Sequence, residues 1–338
     1  MRLGTLLAVI LLVALGSSGQ PGFQIDTDSE LPSVTVYEAR SLTLTASGGI
    51  SPYNWTLASG ALPPGLTLAA SGLLSGTPTQ PGPFYFVATV TDSSGAFASK
   101  AFGLIVIQPP TPVVSITGLQ DTESPGEQPA IDVQLSSAYP REITGLVTLT
   151  FESDAVHFSD DPSIQFSTGG RTLNFTIPAG QTSASWESPP AIQTGTIAGR
   201  IKLRLQYSAG GQNLTPTFAP FRLVTIARAV PRIDAVQAVR TTGGLSVKVS
   251  GYSTPREVTS ATFTFTALQG GASLEASVTV SVDTAFTGWY TAESATQFGS
   301  AFEYVQPFTV QGSTTDIASV LVTLSNSAGS SSSVSANF

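Results

Sequence analysis

Runs of residues that switch between apolar and polar at every second position recur along almost the whole chain. Leu42, Leu44 and Ala46 alternate with Ser41, Thr43 and Thr45, and Phe84, Phe86, Ala88 and Val90 interleave with Tyr85, Val87, Thr89 and Thr91. Ile201, Leu203, Leu205 and Tyr207 alternate with Arg200, Lys202, Arg204 and Gln206. The same rhythm returns in Leu245, Val247 and Val249, in Val278, Val280 and Val282, and in Val320, Val322 and Leu324. A period of two sends successive side chains to opposite faces of a strand, so one face enters a core and the other meets water. Glycine-bearing turns such as Ser47-Gly48-Gly49, Gly169-Gly170, Gly210-Gly211 and Gly243-Gly244 separate the runs. No dozen residues carry a helical period; the best helical candidate, residues 292–297, amounts to a turn or two. The pattern predicts an all-β chain of sandwich type.

Composition then narrows the chemistry. With no cysteine there are no disulfides, thiol nucleophiles, thiolate zinc sites or iron–sulfur clusters. The single histidine, His157, leaves almost nothing for imidazole metal sites. Hard oxygen ligands would therefore restrict any metal to Ca²⁺ or Mg²⁺. A net charge of −8 argues against a nucleic-acid partner, which calls for a basic face. Mean hydropathy of +0.21 is apolar enough to fill cores.

The N-terminus reads as an export signal. Met1-Arg2 precedes the apolar run Leu3 to Gly16, and small residues Gly16 to Gly19 follow. Its roughly 14 apolar residues fall short of the ~20 that span a bilayer. Residues 1–19 are thus expected to be a cleaved signal peptide, leaving a secreted or cell-surface protein. No later stretch has the length and apolarity of a membrane span. Two proline-bearing joints divide the remainder, Gln108-Pro109-Pro110-Thr111-Pro112 and Ala229-Val230-Pro231. They predict units at 29–108, 112–228 and 230–338, each near the ~100 residues of a single sandwich.

Residues 45–92 contain several ordered pieces: Gly48-Gly49, Pro52-Tyr53-x-Trp55, Leu62-Pro63-Pro64-Gly65-Leu66, Gly72-x-x-x-Gly76-Thr77-Pro78 and Val90-Thr91-Asp92. This stretch closely resembles the "putative Ig" modules of bacterial surface proteins, relatives of cadherin-like and dystroglycan-type sandwiches, over about 31–108. The residues agree with such a fold independently: Trp55 offers a large surface to a core, and Gly65 and Gly76 supply backbone freedom where side chains would clash. The later units are similar to immunoglobulin-like sandwich modules of bacterial secreted proteins. The expected fold is therefore three tandem immunoglobulin-like β-sandwich domains behind a signal peptide. Asn54, Asn174 and Asn213 head N-x-Thr sequences; the bacterial resemblance implies that they stay unglycosylated.

The resemblance implies a non-catalytic extracellular repeat. The cadherin-like superfamily often holds calcium between modules, and the candidates here are Asp26, Asp28, Glu30 and Asp92, although the acidic motifs that define calcium-binding cadherin junctions are absent. A solvated tail and a turn-forming Asp92 account for the same residues. A Ser-His-Asp triad would require His157, which lacks a nucleophile-elbow sequence. Arg200, Lys202 and Arg204 line one face of a strand and can meet an anionic polysaccharide or simply water. Trp289 and Tyr290, adjacent on an expected strand, point to opposite faces, so one of them can stack on a sugar. The function expected is adhesion, surface interaction or structural spacing by a non-enzyme whose partner is a protein or polysaccharide at the cell surface. Carbohydrate binding through exposed aromatics and calcium binding remain alternatives; no other cofactor is expected.

Overall fold

The computed structural model describes residues 22–268 and 276–338. The expected signal peptide at 1–19 lies outside the described residues. Strands make up 52% of the chain and helix 6%, so the architecture is all-β. The chain divides into two compact units, one ending at Thr111 and the other running Pro112–Phe338.

In the first unit a four-stranded sheet has the order Glu30–Thr35, Phe97–Ile107, Gly82–Thr91, Asn54–Gly60, its first pair parallel and the others antiparallel. A three-stranded sheet runs Arg40–Thr43, Leu73–Gly76, Leu66–Leu68, and the short pair Gln24–Ile25 and Ala46–Ser47 completes the unit. The two main sheets share one core, in which Phe86, Ala88, Val90, Phe102 and Leu104 meet Leu66 and Leu74. Trp55 is buried in that core. Ile25 is buried there too, and Phe23 packs against the same core. Gly65 and Gly76, both at positive φ, let two strands approach so closely that a Cβ on Gly76 would overlap the carbonyl oxygen of Gly65.

The second unit contains two hydrophobic cores. The first belongs to a six-stranded sheet ordered Thr122–Glu123, Phe221–Ile226, Gly199–Ala209, Ile143–Ser153, Thr172–Ile177, with Gln212–Asn213 paired onto the end of Gly199–Ala209. The strands Val114–Thr117 and Asp132–Leu135 close the other side, and Val133, Ile143, Val147, Phe166 and Leu203 fill the space between. The second core lies between a three-stranded sheet, Arg232–Thr241, Gly244–Tyr252, Ala301–Thr309, and a five-stranded sheet built on Ser260–Ala267 and Ile317–Asn326.

One element departs from the expected pleating. Residues 283–291 form an α-helix, Asp283–Thr291, followed by the 3₁₀ turn Glu293–Phe298. Val282, Phe286 and Tyr290 are all buried. Their spacing of four residues puts them on one side of a helix, where they can share a core. The strand expected at Trp289-Tyr290 is thus corrected to a helix, and those two side chains do not point to opposite faces of a sheet.

Candidate functional site

The strand Gly199–Ala209 alternates without interruption. Ile201, Leu203, Leu205 and Tyr207 are buried, while Arg200, Lys202, Arg204, Gln206 and Ser208 face outward. Antiparallel registers fix what stands beside each outward residue. Gln206 pairs with Leu146 of the neighbouring strand, which pairs in turn with Asn174; Arg204 lies between Thr148 and Phe221.

The loop after this strand turns the flat face into a groove. Gly210 and Gly211 take positive φ and reverse the chain, bringing Asn213 back against Ser208. Leu214 is buried, and its N–H donates to the carbonyl of Tyr207 at 3.0 Å. The Thr215 hydroxyl accepts from Tyr207 N–H at 2.8 Å and donates to Tyr207 C=O at 3.1 Å, while Asn213 Oδ1 accepts from Thr215 N–H at 2.9 Å. These bonds pin the loop, and the buried Tyr207 hydroxyl donates to the Pro112 carbonyl at 3.3 Å. Burial pushes the Tyr207 phenol above its ordinary pKa. Between loop and sheet lies an open groove of about 930 Å³, lined by Arg204, Gln206, Asn174, Asn213, Thr144 and Thr217 among others. Phe218, in the same loop, is 92% exposed, and Phe221 is 59% exposed with Lys202 Nζ 4.5 Å above its ring. The sequence displayed the cationic row; it did not display the wall, which exists only once residues 210–219 fold back.

The other end of the same stretch of chain enters a buried polar seam between the two cores of the second unit. Thr196 Oγ1 accepts from Ser300 N–H at 3.0 Å, and the Ser300 hydroxyl donates to the Thr196 carbonyl at 2.6 Å. Ala198 N–H donates to Thr254 C=O, and Val156 N–H to Pro255 C=O, each at 2.8 Å. Asp161 is fully buried and accepts from the N–H groups of Ser163 (3.0 Å), Thr196 (2.7 Å) and Ile197 (3.1 Å) and from the Ser163 hydroxyl. Arg256, also fully buried, donates through its two Nη atoms to the carbonyls of Gly299 and Tyr290, and lies 5.0 Å from the Tyr290 ring centroid. Burial holds its pKa below the usual arginine range, opposed by the neighbouring Tyr290 and Asp161. Nothing in the sequence set Arg256 apart, because an arginine in Thr254-Pro255-Arg256-Glu257 looks like any surface turn.

The candidates drawn from sequence are scattered among other surroundings. Asp92 is buried in the turn after Gly82–Thr91, where Oδ2 accepts from Ile50 N–H at 2.9 Å and Oδ1 from Ser94 N–H, Ser94 Oγ and Ala96 N–H at 2.9, 2.7 and 3.0 Å. The Ile50 and Ser94 donors hold its carboxyl below the usual aspartate range. Asp26, exposed, accepts from Gln24 and Ser47 side chains. Asp28 and Glu30 are exposed. Among the described residues no three acidic or imidazole groups come together as a metal centre; of the calcium candidates Asp26, Asp28, Glu30 and Asp92, Asp92 is occupied by donors of its own turn and by the Ile50 N–H. Tyr290 is buried, its hydroxyl donating to the Ser300 carbonyl at 2.9 Å, and burial pushes its phenol upward; it is no surface platform. Trp289 is half-buried against the core, donates from Nε1 to the Ala301 carbonyl at 3.1 Å, and stacks on Phe298, 5.8 Å between centroids, which is 49% exposed. His157 lies in a loop, its Nε2 3.3 Å from Thr287 Oγ1, without a serine or an acid among its bonded partners.

Comparison with known proteins places a family match on the first unit. Residues 24–107 match the model described as "Putative Ig domain". No curated protein matches the chain. Among solved structures, the chain resembles the N-terminal eight Ig domains of Down Syndrome Cell Adhesion Molecule at 14% identity and a TM-score of 0.27, covering 93% of this chain and 36% of that one. The Protocadherin GammaB4 extracellular domain gives 13% identity and a TM-score of 0.26, covering 93% and 48%, and the Yersinia pseudotuberculosis adhesin InvE 12% identity and 0.26, covering 66% of each. The chain thus spans less than half the length of the first two.

Proposed function

We propose that this chain, with its "Putative Ig domain" at 24–107, is an exported, non-catalytic, bacterial multi-sandwich protein that acts by surface contact, with the groove beside Gly199–Ala209 as its contact surface. The modules would be the segments 29–108, 112–228 and 230–338. What carries the reading is the groove itself: a concave surface whose outward residues sit on a central strand and whose wall is pinned at Leu214 and Thr215. A site built on a strand with bonded support is already in its binding geometry and loses little freedom when occupied. Among the described residues no helix is long and apolar enough to cross a membrane.

The test is sedimentation of the purified protein with isolated bacterial cell envelopes. Replacing Asn174, Arg204 and Gln206 together by alanine should abolish co-sedimentation while leaving the circular dichroism spectrum and Tm in place. Undiminished binding by that variant defeats the reading. A second reading rests on the Trp289–Phe298 stack, which offers an aromatic surface to a sugar. Phe298→Ala separates it from the groove, since this change keeps the Nε1 bond of Trp289. Loss of retention on insoluble polysaccharide in that variant alone would favour the aromatic stack.

A further inference from the structure

Resting on the groove as the contact surface, we infer that its ligand is a carboxylated polysaccharide. Arg200, Lys202 and Arg204 occupy successive outward positions of one strand, about 6.7 Å apart along it; Arg204 lines the groove, and Lys202 and Arg200 continue the row beyond it along the strand. They are three of the chain's 14 basic residues, displayed by a protein whose net charge is −8. Ion pairing does not use them: among the described residues the arginine and lysine pairs involve Arg171, Arg222, Arg228, Arg232 and Lys248. Glu152, in register with Arg200, is the acidic residue standing directly across from the row. At physiological salt, charges beyond about 8 Å are largely screened, so the local row outweighs the distant acidic surface. A row of cations complements a polymer that repeats a carboxylate.

The rest of the groove selects a sugar. Gln206, Asn174 and Asn213 present amides, which donate to and accept from hydroxyls. Phe218, in the loop that walls the groove, is exposed and offers an apolar face to a sugar ring. Phe221, in register with Arg204, has Lys202 Nζ 4.5 Å from its ring centroid, so a cation and an aromatic face stand together beside Arg204, suited to a carboxylate carried on a ring. A nucleic acid fits less well. Its denser charge needs a broad basic surface, and here one strand supplies the cations within an acidic protein.

The experiment uses the full chain and measures binding to polygalacturonate, alginate and hyaluronate, with neutral dextran and a single-stranded DNA oligonucleotide as comparators. At least one polyuronate should bind, weaken by about ten-fold or more from low to high salt, and weaken by a similar factor in the Lys202→Ala/Arg204→Ala variant. Lys248→Ala removes an equally basic residue on a different strand and should change nothing. Several results would overturn the inference: no polyuronate bound, DNA bound as tightly, or polyuronate affinity indifferent to Lys202 and Arg204. Dextran held without salt dependence but lost with the groove residues would remove the carboxylate specificity while leaving the groove as contact surface. If the variants lacking Asn174, Arg204 and Gln206 still bind envelopes, the groove reading fails as well.

Discussion

Asp161 and Arg256 are both fully withdrawn from solvent on the two sides of one seam, yet they form no ion pair. Asp161 spends its oxygens on the N–H groups of Ser163, Thr196 and Ile197, and Arg256 spends its Nη atoms on two carbonyls, while Tyr290 and Asp161 offset part of what burial costs the guanidinium. A buried charge is tolerated when hydrogen bonds satisfy it, and its removal leaves its partners stranded.

Arg256→Ala should therefore destabilise the second unit by about 3 kcal/mol. Arg256→Lys should recover little, because an ammonium cannot present two fixed donors to Gly299 and Tyr290 together. Urea unfolding followed by tryptophan fluorescence checks this; a loss below about 0.5 kcal/mol would mean the seam is incidental.

The first unit should weaken in acid through Asp92. Its carboxyl titrates below the usual aspartate range in the folded protein. The resulting stabilisation is complete above the unfolded pKa of ~3.9 and vanishes as pH falls through the lower folded value. Asp92→Asn should lower stability at neutral pH and flatten the acid limb of a Tm-against-pH curve. An unchanged acid limb would assign the pH dependence elsewhere.

Chelation should have no such effect. With Asp92 committed to four donors and Asp26 to two, EDTA is expected to move Tm by less than about 1 °C. A drop of several degrees would show a bound cation stabilising the native chain.

Gly76→Ala should cost more than about 1 kcal/mol, since a Cβ at φ +136° would overlap the Gly65 carbonyl. Gly95, also at positive φ but with open space around it, provides the comparison: Gly95→Ala suffers the backbone term alone. Equal losses at the two positions in differential scanning calorimetry would contradict the close-approach explanation.

Much of the fold was legible because alternation is a local signal: the buried Phe86, Ala88 and Val90 and the buried Val320, Val322 and Leu324 stand where a period of two puts them. Trp55, Gly65 and Gly76 were legible for a different reason, since each residue type does something few others can. The helix was not. Val282, Phe286 and Tyr290 carry its spacing, but three residues make a short pattern, and aromatic and threonine neighbours with Gly288 read as strand and turn. Asp161 does sit in a turn, as Asp160-Asp161-Pro162 suggests; its burial depends on Thr196, 35 residues away. Arg204 was legible as one member of a cationic row, whereas the groove depends on a loop folding back over the strand.

Residues 196–208 join the seam to the groove without a break: Thr196 and Ala198 are bonded to Ser300 and Thr254, and Arg200 to Ser208 form the outward face. Tension applied by an occupant of the groove therefore runs along a covalent backbone into that seam. Hydrogen bonds from Ile143–Ser153 and Phe221–Ile226 share the load sideways, in shear, so an anchored polymer would pull on a whole sheet at once.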